Sequence, residues 1–201
     1  MKTAVIVIDM LNDFVTGRLK CERAKLIVPN LQKLLSIARQ NNVPVIYACD
    51  AHSEDDFELK LWGPHAMKGT KGAEIIPELK PEKTDYVIEK KTYSAFFGTK
   101  LHELLQKIGV KELILTGIHT HVCVQHTAAD AFFREYKVVV VQDCVQAFDE
   151  KSHRDSLEYM KTNYGAEIKS SDAVIEEWAV SYTHLRAHET RHDLVCRLLL
   201  E

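Results

Sequence analysis

Cys123 stands where an apolar run gives way to a helical pattern, in ILTGIHTHVCVQHTAADAFF over residues 114–133. Three other sites carry groups that could work with it, each just beyond an apolar run: Asp9 in VIVIDMLNDF, Asp50 and His52 in YACDAH, and Lys90 in VIEKKTYSAFFGT. A free thiol has a pKa of about 8.5, and a helix N-terminus and a neighbouring cation both lower it. The helix start and Lys90 would supply these. A carboxylate at Asp9 can take the thiol proton and later hand it to a leaving amine. Backbone N–H groups at the helix start can hold a developing oxyanion. Together the four sites describe a thiol amidohydrolase. Each residue also has a plainer reading: Cys123 as a small core residue or metal ligand, Asp9 as a helix N-cap, Lys90 as a solvated charge beside Lys91. Lys91 takes the cationic role if the register shifts by one. His121 and His126 are read as helix-start or solvent-facing positions, not as bases.

For these side chains to meet, the elements that carry them must end at one edge. TAVIVID reads as a short β-branched strand, followed by a helix over ERAKLIVPNLQKLLSIARQNN, where Leu26, Leu31, Leu34, Leu35 and Ala38 fall at helical spacing. VPVIYACD, DYVIEK, KELILTG and YKVVVVQDC read as further buried strands, and AEIKS as a sixth. Helical patterns lie between them at GTKLHELLQKIG, VCVQHTAADAFFRE and EKSHRDSLEYMKTNYG, the first and last closed by a capping glycine. This alternation predicts an α/β fold: a three-layer, open, Rossmann-like sheet of about six mainly parallel strands with helices on both faces. Its ligand crevice lies beyond the carboxyl ends of the strands, where Asp9, Asp50, His52, Lys90 and Cys123 occur.

Composition narrows the partners. The chain has 201 residues, 46% hydrophobic and 27% charged, which suits one well-buried core. A net charge of −3 with scattered basic residues gives no stripe for nucleic acid. There is no leader-like start and no apolar run near the ~20 residues of a membrane span, so a cytoplasmic protein is expected. The five cysteines form no CxxC pair or even framework and read as reduced thiols. Residues 1–180 are read as one domain. The segment 181–201, SYTHLRAHETRHDLVCRLLLE, does not fit the plan. It resembles translated adapter or vector read-through, with a terminal amphipathic helix as the equal alternative, and it is set aside from site reasoning.

VIDMLNDF, EKKTYSAFFGT and TGIHTHVCVQHTAADAF, in this order and spacing, resemble the signature segments of the isochorismatase-like cysteine hydrolases, over roughly residues 3–175. The resemblance implies Asp9 as general acid/base, Lys90 as activating cation and Cys123 as nucleophile. It also implies a cis peptide between Ile118 and His119 that turns the His119 N–H beside that of Cys123 as an oxyanion hole. DAHSEDDFELKLWGPHAMKGTKGAE is similar to the D-x-H…W/F-P-P-H stretch of the nicotinamidase members. That likeness implies a divalent metal on Asp50, His52 and His65, zinc first with manganese or iron as alternatives, and Glu58 as a further acidic ligand. It implies Phe14 and Trp62 flanking a pyridine ring, and a homo-oligomer, dimer or tetramer. Gly63 departs from the first proline of the usual pair.

Three functions follow. The first is nicotinamidase, hydrolysing nicotinamide to nicotinate and ammonia through a Cys123 thioester. The second is another hydrolase of the family, an N-carbamoyl or ureido amidase or a metal-free isochorismatase-like enzyme. The third is a non-catalytic binding or redox protein that uses Cys123 as a thiol sensor. The trio Asp50, His52 and His65 favours the first.

Overall fold

A computed structural model describes residues 1–179. The segment 181–201, with both of its readings, lies outside the described residues. Six strands, β1 (Thr3–Ile8), β2 (Val45–Asp50), β3 (Tyr86–Lys90), β4 (Glu112–Ile118), β5 (Lys137–Gln146) and β6 (Glu167–Lys169), form one sheet in the order β3-β2-β1-β4-β5-β6. Every neighbouring pair is parallel. Helices α1 (Asn12–Val15), α2 (Val28–Gln40), α3 (Leu59–Trp62), α4 (Leu101–Lys107), α5 (Gln125–Phe133) and α6 (Glu150–Tyr164) lie among them. Residues 171–179 are helical as well.

Alternation along β1 divides the core in two. Val5 and Val7 join Leu31, Leu34, Leu35 and Ala38 of α2 on one face. Ala4, Ile6 and Ile8 meet Leu101 and Leu105 of α4, Ala128 and Ala131 of α5, and Met160 of α6 on the other. Burial on both faces is why the central strands read as nearly continuous apolar runs, AVIVI in β1 and LIL in β4. The predicted three-layer parallel sheet is therefore the observed one.

Two expectations are corrected. Leu26 does not join the α2 face; it sits in a 3-10 turn, Ala24–Ile27, and is 64% exposed. Pro29 in the first turn of α2 starts the helix at Val28, so the apolar register begins after Leu26. DYVIEK is not a buried strand: β3 is the sheet edge, and Tyr86 and Val87 are exposed. The strand order reverses between β1 and β4, which opens a crevice beyond their carboxyl ends. Among the described residues no helix is long and apolar enough to cross a membrane.

Candidate active site

Four adjacent strands deliver the polar groups to this crevice. Asp9 follows β1 directly in a left-handed conformation, φ 51°, and Leu11 N–H donates to its carbonyl at 2.7 Å. Asp50 and Lys90 are the last residues of β2 and β3 and lie opposite each other in the parallel register. All three are buried. Lys90 Nζ is 2.7 Å from Asp9 Oδ2 and donates to Asp50 Oδ1 at 2.6 Å and to the Thr92 carbonyl at 3.1 Å. The Asp50 N–H donates to Asp9 Oδ1 at 2.9 Å, locking the two acids to each other.

Cys123 reaches the same point from β4. The Ile118–His119 peptide is cis, and the next five residues, Thr120–Val124, wind as a π-helical turn that runs into α5. First-turn N–H groups of such a run lack helical partners. Cys123 is buried, with Sγ 3.8 Å from Lys90 Nζ, and it forms a tight group with Asp9 and Asp50. His153 of α6 supports the turn from below, its Nδ1 3.0 Å from Thr120 Oγ1.

The electrostatics differ from those expected of an activated thiolate. Burial pushes the Cys123 thiol well above its ordinary range; Lys90 opposes this, but Asp9 and Asp50 add to it. Burial would lower Lys90 too, yet Asp50 and Asp9 hold its ammonium well above the usual value. Its charge is thus already balanced by carboxylates. Asp9 is pushed up to about 7, first by burial and then by the Asp50 charge, against the pull of Lys90. The resting state is a protonated thiol beside an acid that exchanges protons near neutrality.

A second cluster lies beside the first. One ligand atom each from Asp50, His52, Glu58 and His65 can be chosen so that all lie within 4.8 Å of one another. His52 Nε2 is 3.6 Å from Asp50 Oδ2, His65 Nε2 is 3.7 Å from Glu58 Oε1, and the two rings are 4.6 Å apart. Each ring is aimed from its other nitrogen: His52 Nδ1 is 3.2 Å from Asp56 Oδ2, and His65 Nδ1 is 2.7 Å from the Gly63 carbonyl. Both Nε2 atoms are left for the cluster, the arrangement that orients imidazole ligands. Asp50 Oδ2, His52 Nε2 and Glu58 Oε2 are buried without hydrogen-bond partners, as a cation-binding set requires. The residues fit a divalent metal. Gly63 has φ 72°, which proline cannot adopt, so the departure from the usual proline pair goes with a different turn.

Between the clusters lies a cavity of about 20 Å³, lined by Phe14, Trp62, Tyr93, His119, Cys123 and Phe148 together with Asp50, Glu58 and His65. Trp62 Nε1 donates to Tyr93 Oη at 2.9 Å, and Phe148 stacks on His119 with centroids 4.1 Å apart. The structure thus brings together Asp9, Lys90 and Cys123, gathers Asp50, His52, His65 and Glu58 beside them, and sets Phe14 and Trp62 in the wall. Lys91 points away, to Ser53 and Asp56. His126 bonds the Val122 carbonyl at the exposed helix start.

Sequence reasoning passed over Asp13, Asp56, Tyr93 and Phe148. Asp13 Oδ2 accepts from the Ala66 N–H at 2.8 Å and so ties the loop behind His65 to α1. The one signal for it was its place in the MLNDF segment. Tyr93 likewise sat unread in EKKTYSAFFGT.

A model of the isochorismatase domain matches residues 3–173. The chain is 42% identical to an N-carbamoylsarcosine amidase from Thermoplasma acidophilum, a solved structure, with a TM-score of 0.81 over 86% of this chain and 98% of that one. It is 38% identical to nicotinamidase 3 of Arabidopsis thaliana over 77% of this chain and 78% of the relative. A pyrazinamidase of Pyrococcus horikoshii, solved in complex with zinc, is 27% identical with a TM-score of 0.79, over 85% of this chain and 99% of that one.

Proposed function

The chain belongs to the isochorismatase family, and on that premise we propose that it is a metal-assisted cysteine amidohydrolase, a nicotinamidase that converts nicotinamide and water to nicotinate and ammonia. The observation that carries this reading is the convergence of Asp50, His52, Glu58 and His65 beside the Asp9, Lys90 and Cys123 cluster, at a cavity walled by Phe14 and Trp62. The proposal extends the hydrolase domain over residues 1–180.

Asp9, pushed up to about 7, accepts the Cys123 proton; because burial holds the thiol well above its ordinary range, the transfer is uphill and goes with the attack of sulfur on the substrate. The sulfur attacks the carboxamide carbon, and the N–H groups of His119 and Cys123 hold the oxygen as it becomes anionic. Asp9 returns the proton to the amide nitrogen, the carbon–nitrogen bond breaks, and ammonia leaves a thioester on Cys123. A water then gives its proton to Asp9 and adds to the thioester carbon. The thiolate departs, recovers the proton, and nicotinate is released. Lys90 keeps its ammonium throughout and offsets the charge that moves between sulfur and carboxylate. Phe14 and Trp62 flank the ring. Asp50, His52 and His65, with Glu58, would hold a divalent ion, zinc by the donor set and manganese or iron otherwise, which would supply a Lewis acid to orient the heteroaromatic ring.

A second reading, an amidase for N-carbamoyl or ureido compounds, uses the same three residues and is favoured by the 42% identity to the carbamoyl relative. The test is ammonia or pyruvate release by metal-replete protein from nicotinamide, pyrazinamide, an N-carbamoyl amino acid and isochorismate. Preference for the two heteroaromatic amides is expected, and Cys123→Ala is expected to abolish it with the fold intact. Turnover of the carbamoyl compound alone would transfer the assignment to the second reading. Silence on all four would favour a non-catalytic thiol protein. The reading also implies a cytoplasmic dimer or tetramer that serves pyridine-nucleotide salvage, with a small amide as its partner.

A further inference from the structure

An entering substrate meets mostly negative charge. Asp50 and Glu58 line the cavity, and Asp9 stands against Cys123. The ammonium in contact with them, Lys90, is enclosed by Asp9 and Asp50 at 2.7 and 2.6 Å. Two lysines nearer the surface are engaged as well, Lys91 with Asp56 at 3.0 Å and Lys68 with Glu89 at 2.5 Å. Among the described residues, none that lines the cavity is an unpaired cation. Three carboxyl groups face one ammonium, and with Asp9 ionised a divalent ion held by the Asp50, His52, Glu58 and His65 group would bring the set to neutrality and not beyond. A carboxylate brought in from water would lose its hydration for no opposite charge.

His119 offers something else. Its ring is 5% exposed, lines the cavity, packs edge-on to Phe14 at 5.7 Å and lies under Phe148. Its Nε2 is buried with no hydrogen-bond partner. Burial, helped by His121, pushes its pKa down to about 3, so at neutral pH the ring brings a polar atom and no charge. Such an atom can serve an uncharged group and cannot balance an anion. Phe148, which stacks on His119, is 39% exposed on the loop after β5.

We propose that this site selects uncharged amides and excludes those that carry a carboxylate, with the His119 imidazole as the specificity-determining side chain. The inference rests on the amidase reading of the same site and narrows it. It also gives the product a reason to leave, because hydrolysis creates the anion that the pocket disfavours.

The test uses two matched series: an N-carbamoyl amino acid with its methyl ester, and a ring-carboxylated nicotinamide with its methyl ester. In the series that the wild-type protein hydrolyses, kcat/KM for the ester is expected to exceed that for the acid by about 30-fold or more. His119→Leu should raise KM for the ester about tenfold, with any loss in kcat smaller than that, and keep the ratio, and His119→Gln should recover part of the loss in KM. His119→Arg should shrink the ratio to about fivefold or less by adding a cation. Acid and ester within about threefold of each other, or KM unmoved in a folded His119→Leu protein, would overturn the inference while leaving the amidase reading standing. No turnover in either series, nor of nicotinamide itself, would mean that the amidase reading has failed and this inference with it.

Discussion

Asp56 touches no reacting atom, yet it sets the direction of His52. Its Oδ2 lies 3.2 Å from His52 Nδ1 and accepts from the Ser53 N–H at 2.9 Å, and Lys91 Nζ bonds its Oδ1 at 3.0 Å. The Ser53 N–H and Lys91 hold this carboxyl below the usual range, so it stays ionised and favours a proton on Nδ1. Nε2 then keeps its lone pair for the Asp50, Glu58 and His65 group. Losing such a support typically costs 10–100-fold in metal affinity. Asp56→Ala is therefore expected to raise the dissociation constant for zinc by about that factor, read by equilibrium dialysis with metal analysis, and Lys91→Ala by less. Unchanged affinity in Asp56→Ala would mean that His52 is aimed by its packing alone. Asp9, Asp50 and Lys90 were legible in the sequence because each ends an apolar strand. Asp56 was not: in SEDDFE it reads as one more solvated acid, and only the fold of the loop shows which acid turns inward.

The end of β4 has to come close to β1, and Gly117 permits it. A Cβ on Gly117 would stand 2.0 Å from the Ile8 carbonyl oxygen, and its φ of +97° is one that L side chains rarely adopt. Gly117 lies opposite Ile8 in the register, so this contact joins the residue before Asp9 to the segment leading into the Cys123 turn. Gly117→Ala should cost about 3 kcal/mol or more, seen as a lower unfolding midpoint, and should abolish turnover by moving both strand ends. A variant with wild-type stability would show that the strands separate easily, contrary to this packing. The helix after β4 was legible from its apolar pattern. Its winding was not, because a π turn and an α turn share nearly the same local sequence pattern and differ by one residue in the hydrogen-bond step. Leu26 fell at helical spacing but outside the helix, since spacing alone does not mark where Pro29 lets the helix begin.

At the scale of the whole molecule, the sheet order brings four strand ends to one edge, and the long connection from β2 to β3 folds over them. That connection carries His52, Glu58, Trp62 and His65, while α1 fastens its far half through Asp13 to Ala66 and Asn12 to the Lys71 carbonyl at 2.8 Å. The parallel sheet was legible because the buried central strands read as nearly continuous apolar runs, whereas the connection, with short helical turns and little core of its own, takes its form from these ties. A cation bound to Asp50, His52, Glu58 and His65 would pin the connection to β2. Because such an ion binds the folded chain and hardly the unfolded one, it stabilises by about 2.7 kcal/mol at 100 times its dissociation constant. For a chain of this length that is a rise of roughly 5–10 °C in the unfolding midpoint. Protein stripped with a chelator should therefore melt lower by about this amount and recover with zinc, and His52→Ala with His65→Ala together should remove the response. If the double variant still shifted by the same amount, the stabilising ion would be bound elsewhere, and the four residues would have to be read as a polar network that needs no metal.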